Sequence, residues 1–248
     1  MVAPTTTPVG PPDPHVQAYT IGIQSENTVE HTLEASSRLA EAASLIPSIL
    51  DPSDTSFDRM ACPSINTTRY DYLRRDDALL GPDEKQYFFA LNLRQCVDLL
   101  PRLLGSLIEA IRFLGPEHCA LSIVEGNSAD GTLEVLRLLI PELKAMGVEY
   151  WLASSTLDPS KGLRIRKLAK LRALAVEPVT GLAAILQPRP GETADEIGTT
   201  TYYSQPAISK LPLAANATII FINDVAACAE DILELIHQQT LQSADMVW

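Results

Sequence analysis

From residue 85 onward the chain alternates short apolar runs with helix-length amphipathic segments, and that alternation restricts it to folds built on a mostly parallel sheet. Y-F-F-A-L, Tyr87 to Leu91, is a compact aromatic and apolar run bounded by Asn92, the pattern of a strand buried on both faces. Next, Leu100, Leu103, Leu104, Leu107, Ile108, Ile111 and Leu114 form one apolar helical stripe. Asp98 can cap that helix, Pro101 is tolerated in its first turn, and Gly115-Pro116 end it. Cys119 to Val124 reads as a second strand. Leu133 to Met146 reads as a second helix, kinked or broken at Pro141 and stopped by Gly147. Val148 to Leu152 is the third strand, Leu163 to Val176 a basic helix, Ala217 to Ile222 the fourth strand and Asp231 to Gln239 a further helix. Ala244 to Trp248 begins a fifth strand.

The expected class is α/β, a Rossmann-type, mostly parallel sheet flanked by helices with right-handed crossovers. Ligands in such sheets gather beyond the carboxyl ends of the strands. The polar residues at those ends are Asn92, Glu125, the pair Ser154 and Ser155, and the pair Asn223 and Asp224.

Upstream the pattern is different. About the first 28 residues are rich in Pro and Thr and read as a disordered arm, and Val29 to Leu50 carries helical spacing with Asn27 or Thr28 as N-cap. Residues 51–84 are punctuated by Asp, Pro and Ser, with a short helix around Tyr70 to Leu80. The expected organisation is a disordered arm plus a helical, stem-like extension over 1–84, then one domain over 85–248.

Charge narrows the partners. An excess of 31 acidic over 19 basic residues gives a net charge of -12, which repels phosphate backbones and anionic lipid, so nucleic acid is not an expected partner. No run approaches the roughly 18 apolar residues of a membrane span, and the N-terminus lacks a basic stretch followed by an apolar core. Cys62, Cys96, Cys119 and Cys228 are widely spaced and form no C-x-x-C pair, so they read as buried free thiols. Two N-glycosylation sequons, Asn66-Thr67-Thr68 and Asn216-Ala217-Thr218, would mark a secretory lumen if used.

Three stretches carry chemistry. In S-I-V-E-G-N-S-A-D-G-T, Ser122 to Thr132, a strand runs into a helix through a polar turn. Thr132 stands where a phosphate-binding loop needs lysine, and a dinucleotide fingerprint would need a third glycine. Glu125 at the strand end can accept hydrogen bonds from a nucleobase or ribose, while Ser128 or Asp130 caps the helix. A plainly capped turn is the competing reading. In F-I-N-D-V, Phe221 to Val225, Asp224 suits a hard divalent ion, Mg²⁺ or Mn²⁺, shared with a diphosphate. The competing reading is a cap for the next helix. Finally, Lys161, Arg164, Arg166, Lys167, Lys170 and Arg172 put six of the nineteen positive residues into twelve positions, which suggests an anion site. A solvated helix face competes with it.

E-G-N-S-A-D-G-T resembles the acid-x-x-S-x-D-x-T turn of GT-A glycosyltransferases. Together with Y-F-F-A-L-N-L, R-I-R-K-L-A-K-L-R-A-L-A-V-E-P and I-I-F-I-N-D-V-A-A-C-A-E-D-I-L-E-L-I, it resembles the fungal capsule-associated alpha-1,3-mannosyltransferase family over Gln86 to Trp248. The resemblance implies a GT-A fold, GDP-mannose as donor, a glycan acceptor, Mn²⁺ or Mg²⁺, and type II anchoring in the Golgi. It places Glu125 and Asp130 on the nucleotide-side turn, Arg164 and Arg172 on the basic helix, and Asp224 at the metal-binding aspartate, with base and ribose near Asn92 and Glu125. No catalytic residue is assigned.

The chain also departs from the family pattern. Arg172-Ala173 stands where the family has Arg-Asn, and residues 187–213 read as a flexible insertion. The membrane anchor and the acceptor-binding half are expected outside the sequence. Two other classes remain open: a nucleotide-binding remnant that transfers nothing, and a nucleotidyltransferase, which would want a Gly- and Lys-rich loop where L-N-L-R-Q-C stands.

Overall fold

The computed structural model describes residues 34, 36–74, 81, 83–181, 193, 197–204 and 210–244, and the chain divides into two units, 1–40 and 41–248. In the first unit the described residues, 34 and 36–40, are helical. The arm read over the first 28 residues lies outside the described residues. In the second unit residues 41–50 are helical (α1). Arg59 closes this helix, its Nη2 donating to the carbonyls of Ser48 at 2.6 Å and Asp51 at 2.9 Å, which satisfies acceptors that a helix end leaves open.

The short helix expected around Tyr70 to Leu80 lies mostly outside the described residues, since 75–80 are not among them. α2 spans Thr67–Tyr70 with Asn66 as its N-cap, and a single 3-10 turn follows over Asp71–Leu73. Residues 41–74 belong to the same unit as the sheet, with Tyr87 Oη donating to Leu73 O at 2.7 Å and Arg69 bonding Glu234 at 2.7 Å.

The sheet contains β1 (Lys85–Leu93), β2 (Cys119–Glu125), β3 (Glu149–Ser155), β4 (Thr200–Ser204) and β5 (Leu213–Ile222), in the order β4-β3-β2-β1-β5. All neighbours are parallel except β3 and β4. The helices between them are α3 (Leu100–Leu114), α4 (Thr132–Ala145), α5 (Arg164–Thr180) and, after β5, α6 (Ala229–Gln242). This is the expected mostly parallel α/β sheet.

The period-two alternation of a strand divides β1 between two cores. Tyr87, Phe89, Leu91 and Leu93 join α3, α4 and α6, and Phe88 and Ala90 join α5. Phe88 and Phe89 are both fully buried, each worth about 1.5–3 kcal/mol of hydrophobic burial. Placement of the helices follows from handedness. The path β1-α3-β2-α4-β3 steps one way along the sheet, whereas the chain after β3 passes through α5 and the antiparallel β4 before it reaches β5 beyond β1. Right-handed crossovers in one direction put α3 and α4 on one face, and of the described helices α5 packs on the other.

Several local expectations change. All seven residues of the α3 stripe are buried, but Asp98 lies inside a 3-10 turn, Val97–Leu99, and the helix has no side-chain cap. α4 continues through Pro141, because Pro141 and Arg137 are both exposed and water can take the freed carbonyl. Part of the expected insertion is β4, an antiparallel edge strand fastened to β3 by reciprocal bonds between Thr156 and Thr199. Gly198 permits that approach, since a Cβ there would fall 2.7 Å from Leu157 Cγ. The rest of the insertion lies mostly outside the described residues, as does the expected fifth strand beyond Ala244.

The cysteine reading is also corrected. Cys62 and Cys228 form a disulfide across a separation of 166 residues, and only Cys96 and Cys119 are free and buried. Spacing alone hid the pair, because a bridge of that separation leaves no local pattern.

Candidate functional site

The strand order reverses beside β1, which pairs β2 on one side and β5 on the other, and a crevice opens at such a reversal beyond the strands' carboxyl ends. The register brings those ends level: Leu93 pairs Glu125, Glu125 pairs Ser154, and Leu91 pairs both Ile123 and Ile222. Asn92 to Arg94, Gly126, and Asn223 with Asp224 therefore leave the sheet together.

They line a cleft of about 430 Å³, whose remaining wall is Val124, Pro159, Ser160 and the α5 residues Arg164, Leu168, Leu171 and Arg172. That volume lies in the range of small-molecule sites. Four expected residues thus meet in one cleft: Asn92, Arg164, Arg172 and Asp224. The α5 members recur at intervals of about four, so they share one helix face.

Asn92 fixes the cleft's back. With its amide oriented to satisfy both groups, the nitrogen donates to Leu171 O at 3.1 Å and the oxygen accepts from Arg172 N at 3.2 Å, joining β1 to α5. Arg172 places its guanidinium 5.8 Å from the Phe221 ring centroid, a cation-π contact that leads the charge toward β5.

Asp224 is exposed, and among the described residues its carboxylate has no hydrogen bond or ion pair. It does not cap the next helix. α6 has Cys228 as N-cap, and Asp231 Oδ2 accepts from Cys228 N at 3.0 Å. Among the described residues no cluster of three His, Cys, Asp or Glu side chains could hold a metal unaided. One free carboxylate does fit a hard divalent ion that completes its shell with diphosphate oxygens and water.

Glu125 and Asp130 are not among the residues that line this cleft. Glu125 is 0% exposed, and its two oxygens accept from Ser128 N at 2.5 Å and Ser154 Oγ at 2.6 Å. Asp130 Oδ1 accepts from Thr132 N and Oγ1, and Oδ2 from Val97 N at 3.0 Å. Ser128 and Thr132 hydroxyls receive Gln95 N and Cys96 N in turn. The turn is therefore stitched to the loop after β1 and sets where Arg94 and Gly126 stand. Burial pushes the Cys96 thiol up to about 11, so it is inert beside this network.

The basic segment divides. Arg164 and Arg172 reach the cleft, whereas Lys167 and Lys170 are buried and Arg166 is exposed away from it. The amino end of α5 opens on the cleft through Ser160 and Arg164, adding the positive end of a helix dipole.

Two cleft features were missed in the sequence. Arg94 Nη1 lies 2.8 Å from Asp158 Oδ1, and Asp158 also accepts from Ser160 N and Oγ. Ser160, then Arg94, holds the Asp158 carboxyl well below the usual range. Gly126 makes room for this arginine, since an added Cβ would lie 3.0 Å from Arg94 Cβ. The available signal was the strand-end position of Arg94, two residues after Asn92.

Residues 86–247 match the family described as Cryptococcal mannosyltransferase 1. The chain is 34% identical over 166 residues to alpha-1,3-mannosyltransferase CMT1 of Cryptococcus neoformans var. neoformans, covering 64% of this chain and 30% of that relative. The matched stretch thus spans under a third of the relative's length. No solved structure matches.

Proposed function

This chain belongs to the cryptococcal mannosyltransferase family, and from that premise we propose that it binds GDP-mannose, with a divalent cation, for transfer of the mannosyl group to a glycan hydroxyl. The observation that carries the reading is the cleft at the strand-order reversal, where the free Asp224 carboxylate shares a wall with Arg94, Arg164 and Arg172. A diphosphate is the ligand that can use both signs, since its oxygens accept from guanidinium groups and ligate a metal held by a carboxylate.

In this reading Asp224 would hold Mn²⁺ or Mg²⁺. The bound ion would neutralise charge that develops on the diphosphate as the sugar leaves. Arg164, Arg172 and the amino end of α5 orient the phosphates and stabilise the same charge. Asn92 keeps β1 and α5 at fixed separation, and Glu125 holds the turn on whose rim, at Gly126, the nucleoside rests. The fold then works as a GT-A nucleotide-binding half in a secretory or Golgi lumen. The Cys62–Cys228 bridge supports that compartment, because such bonds persist where conditions are oxidising.

Calorimetric titration with GDP-mannose, UDP-glucose and GDP, each with Mn²⁺, tests the donor. Binding of GDP-mannose and of GDP, with UDP-glucose excluded, is the expected outcome, and UDP-glucose binding as tightly as GDP-mannose, or no binding of GDP-mannose, would refute it. If the donor binds but is neither hydrolysed nor transferred to mannose oligosaccharides, the nontransferring alternative holds instead.

A further inference from the structure

The sequons are not absorbed by the cleft, and only one of them stands where a glycan acceptor belongs. We propose that Asn66 is an N-glycosylation site, carrying its glycan in the same lumen in which Cys62 and Cys228 are oxidised. This inference does not rest on mannosyl transfer by the chain itself.

Asn66 is exposed and precedes α2 as its N-cap. Its side chain divides two roles between two atoms: Oδ1 accepts from Arg69 N at 3.1 Å, whereas Nδ2 has no hydrogen bond among the described residues. Glycosylation changes only Nδ2, so a glycan leaves the cap intact. Thr67 is not proline, and Thr68 is exposed with its hydroxyl unengaged among the described residues. The site therefore combines the surface position and the N-x-T pattern that the modification uses.

Asn216 is also exposed, but its sequon sits differently. It lies within β5, where the pairing with β1 is irregular between Lys85 and Tyr87, and its carbonyl accepts from the buried Gln86 Nε2 at 2.8 Å. Its sequon threonine, Thr218, is half-buried and directs its hydroxyl to Gln239 Oε1 at 3.5 Å. The strand and its neighbours already occupy this sequon.

The bridge supplies the second, independent observation. A reducing compartment would keep Cys62 and Cys228 as thiols, so a chain that folds with them joined suits an oxidising compartment such as the secretory lumen, where N-linked glycans are added. Cys228 is synthesised 166 residues after Cys62, so Asn66 enters the lumen before the bridge can close. The transfer uses a lipid-diphosphate-linked oligosaccharide and the host's oligosaccharyltransferase. Asn66 Nδ2 attacks the anomeric carbon, a C–N bond forms as the C–O bond to diphosphate breaks, the lipid diphosphate leaves, and the Nδ2 proton passes to a base of the transferase. The step is redox-neutral.

The test expresses the complete gene product in a yeast secretory host and compares it with Asn66→Gln, Thr68→Ala and Asn216→Gln. Gel mobility is read before and after peptide-N-glycosidase, and the peptide containing Asn66 is read by mass spectrometry. Expected is an Asn66 converted to Asp by the glycosidase, with one glycan step lost in Asn66→Gln and Thr68→Ala and retained in Asn216→Gln. Thr68→Ala leaves the Asn66 cap in place, so misfolding of Asn66→Gln cannot imitate the result. An Asn66 peptide recovered unmodified, or a glycan step lost only in Asn216→Gln, overturns the proposal.

Discussion

Arg94 and Asp158 meet at 2.8 Å across the mouth of the cleft, joining the end of β1 to the loop that leads into α5. The pair is partly exposed, so its own contribution to stability is small. Its effect is to hold an arginine beside the strand ends where a diphosphate would lie.

Arg94→Ala should therefore weaken nucleotide-sugar binding while leaving the fold unchanged. Loss of a charged hydrogen bond costs about 1.5–3 kcal/mol, which is roughly 10- to 100-fold in Kd. Gly126→Ala should weaken binding less, by displacing the Arg94 side chain. Isothermal titration with matched thermal melts checks both, and unchanged affinity in Arg94→Ala would remove this residue from the site.

Glu125 gives the opposite signature. Its carboxylate has internal partners in Ser128 and Ser154 and is fully buried, so Glu125→Ala leaves buried donors unsatisfied. The expected loss is about 1–3 kcal/mol in denaturant unfolding. If stability is unchanged and donor binding alone collapses, Glu125 touches the ligand directly.

These two residues illustrate how much could be read in advance. The order of strands and helices, and the strand-end positions of Asn92 and Asp224, follow from hydrophobic period and topology. Which way a strand-end carboxylate turns does not, because that depends on partners such as Ser154, 29 residues from Glu125. The basic segment had the same ambiguity: composition is alike at Lys167 and Arg172, and only the docking of α5 buries the first and brings the second to the cleft. β4 was hidden because Thr-Thr-Tyr-Tyr-Ser gains its identity by pairing with β3.

Reduction should destabilise the protein substantially. Chain-entropy arguments for a bridge closing so long a loop give about 5 kcal/mol, with typical measured losses of about 2–4 kcal/mol. Cys62→Ser with Cys228→Ser should lower Tm and loosen the segment between Asp224 and α6. Coincident melts of the reduced and oxidised protein would contradict this.

Acid should release the extension from α6. Arg69, then Gln238 and Tyr70, hold the Glu234 carboxyl well below the usual range. A depressed folded-state pKa contributes stability that is present above the unfolded value, about 4.3, and is lost as pH falls toward the folded value. Unfolding free energy measured from pH 7 downward should fall below about pH 4.3, and Glu234→Gln should flatten that slope. An identical slope in the variant would show that the contact contributes nothing.

The central claim is that the cleft binds a nucleotide-sugar diphosphate through a metal held by Asp224. Calorimetry of GDP-mannose with and without Mn²⁺, on the native protein and on Asp224→Ala, tests it most directly. The account predicts tight binding only with Mn²⁺ in the native protein, and equal, weak binding with and without the metal in Asp224→Ala. Metal-dependent binding that survives Asp224→Ala unchanged would contradict it.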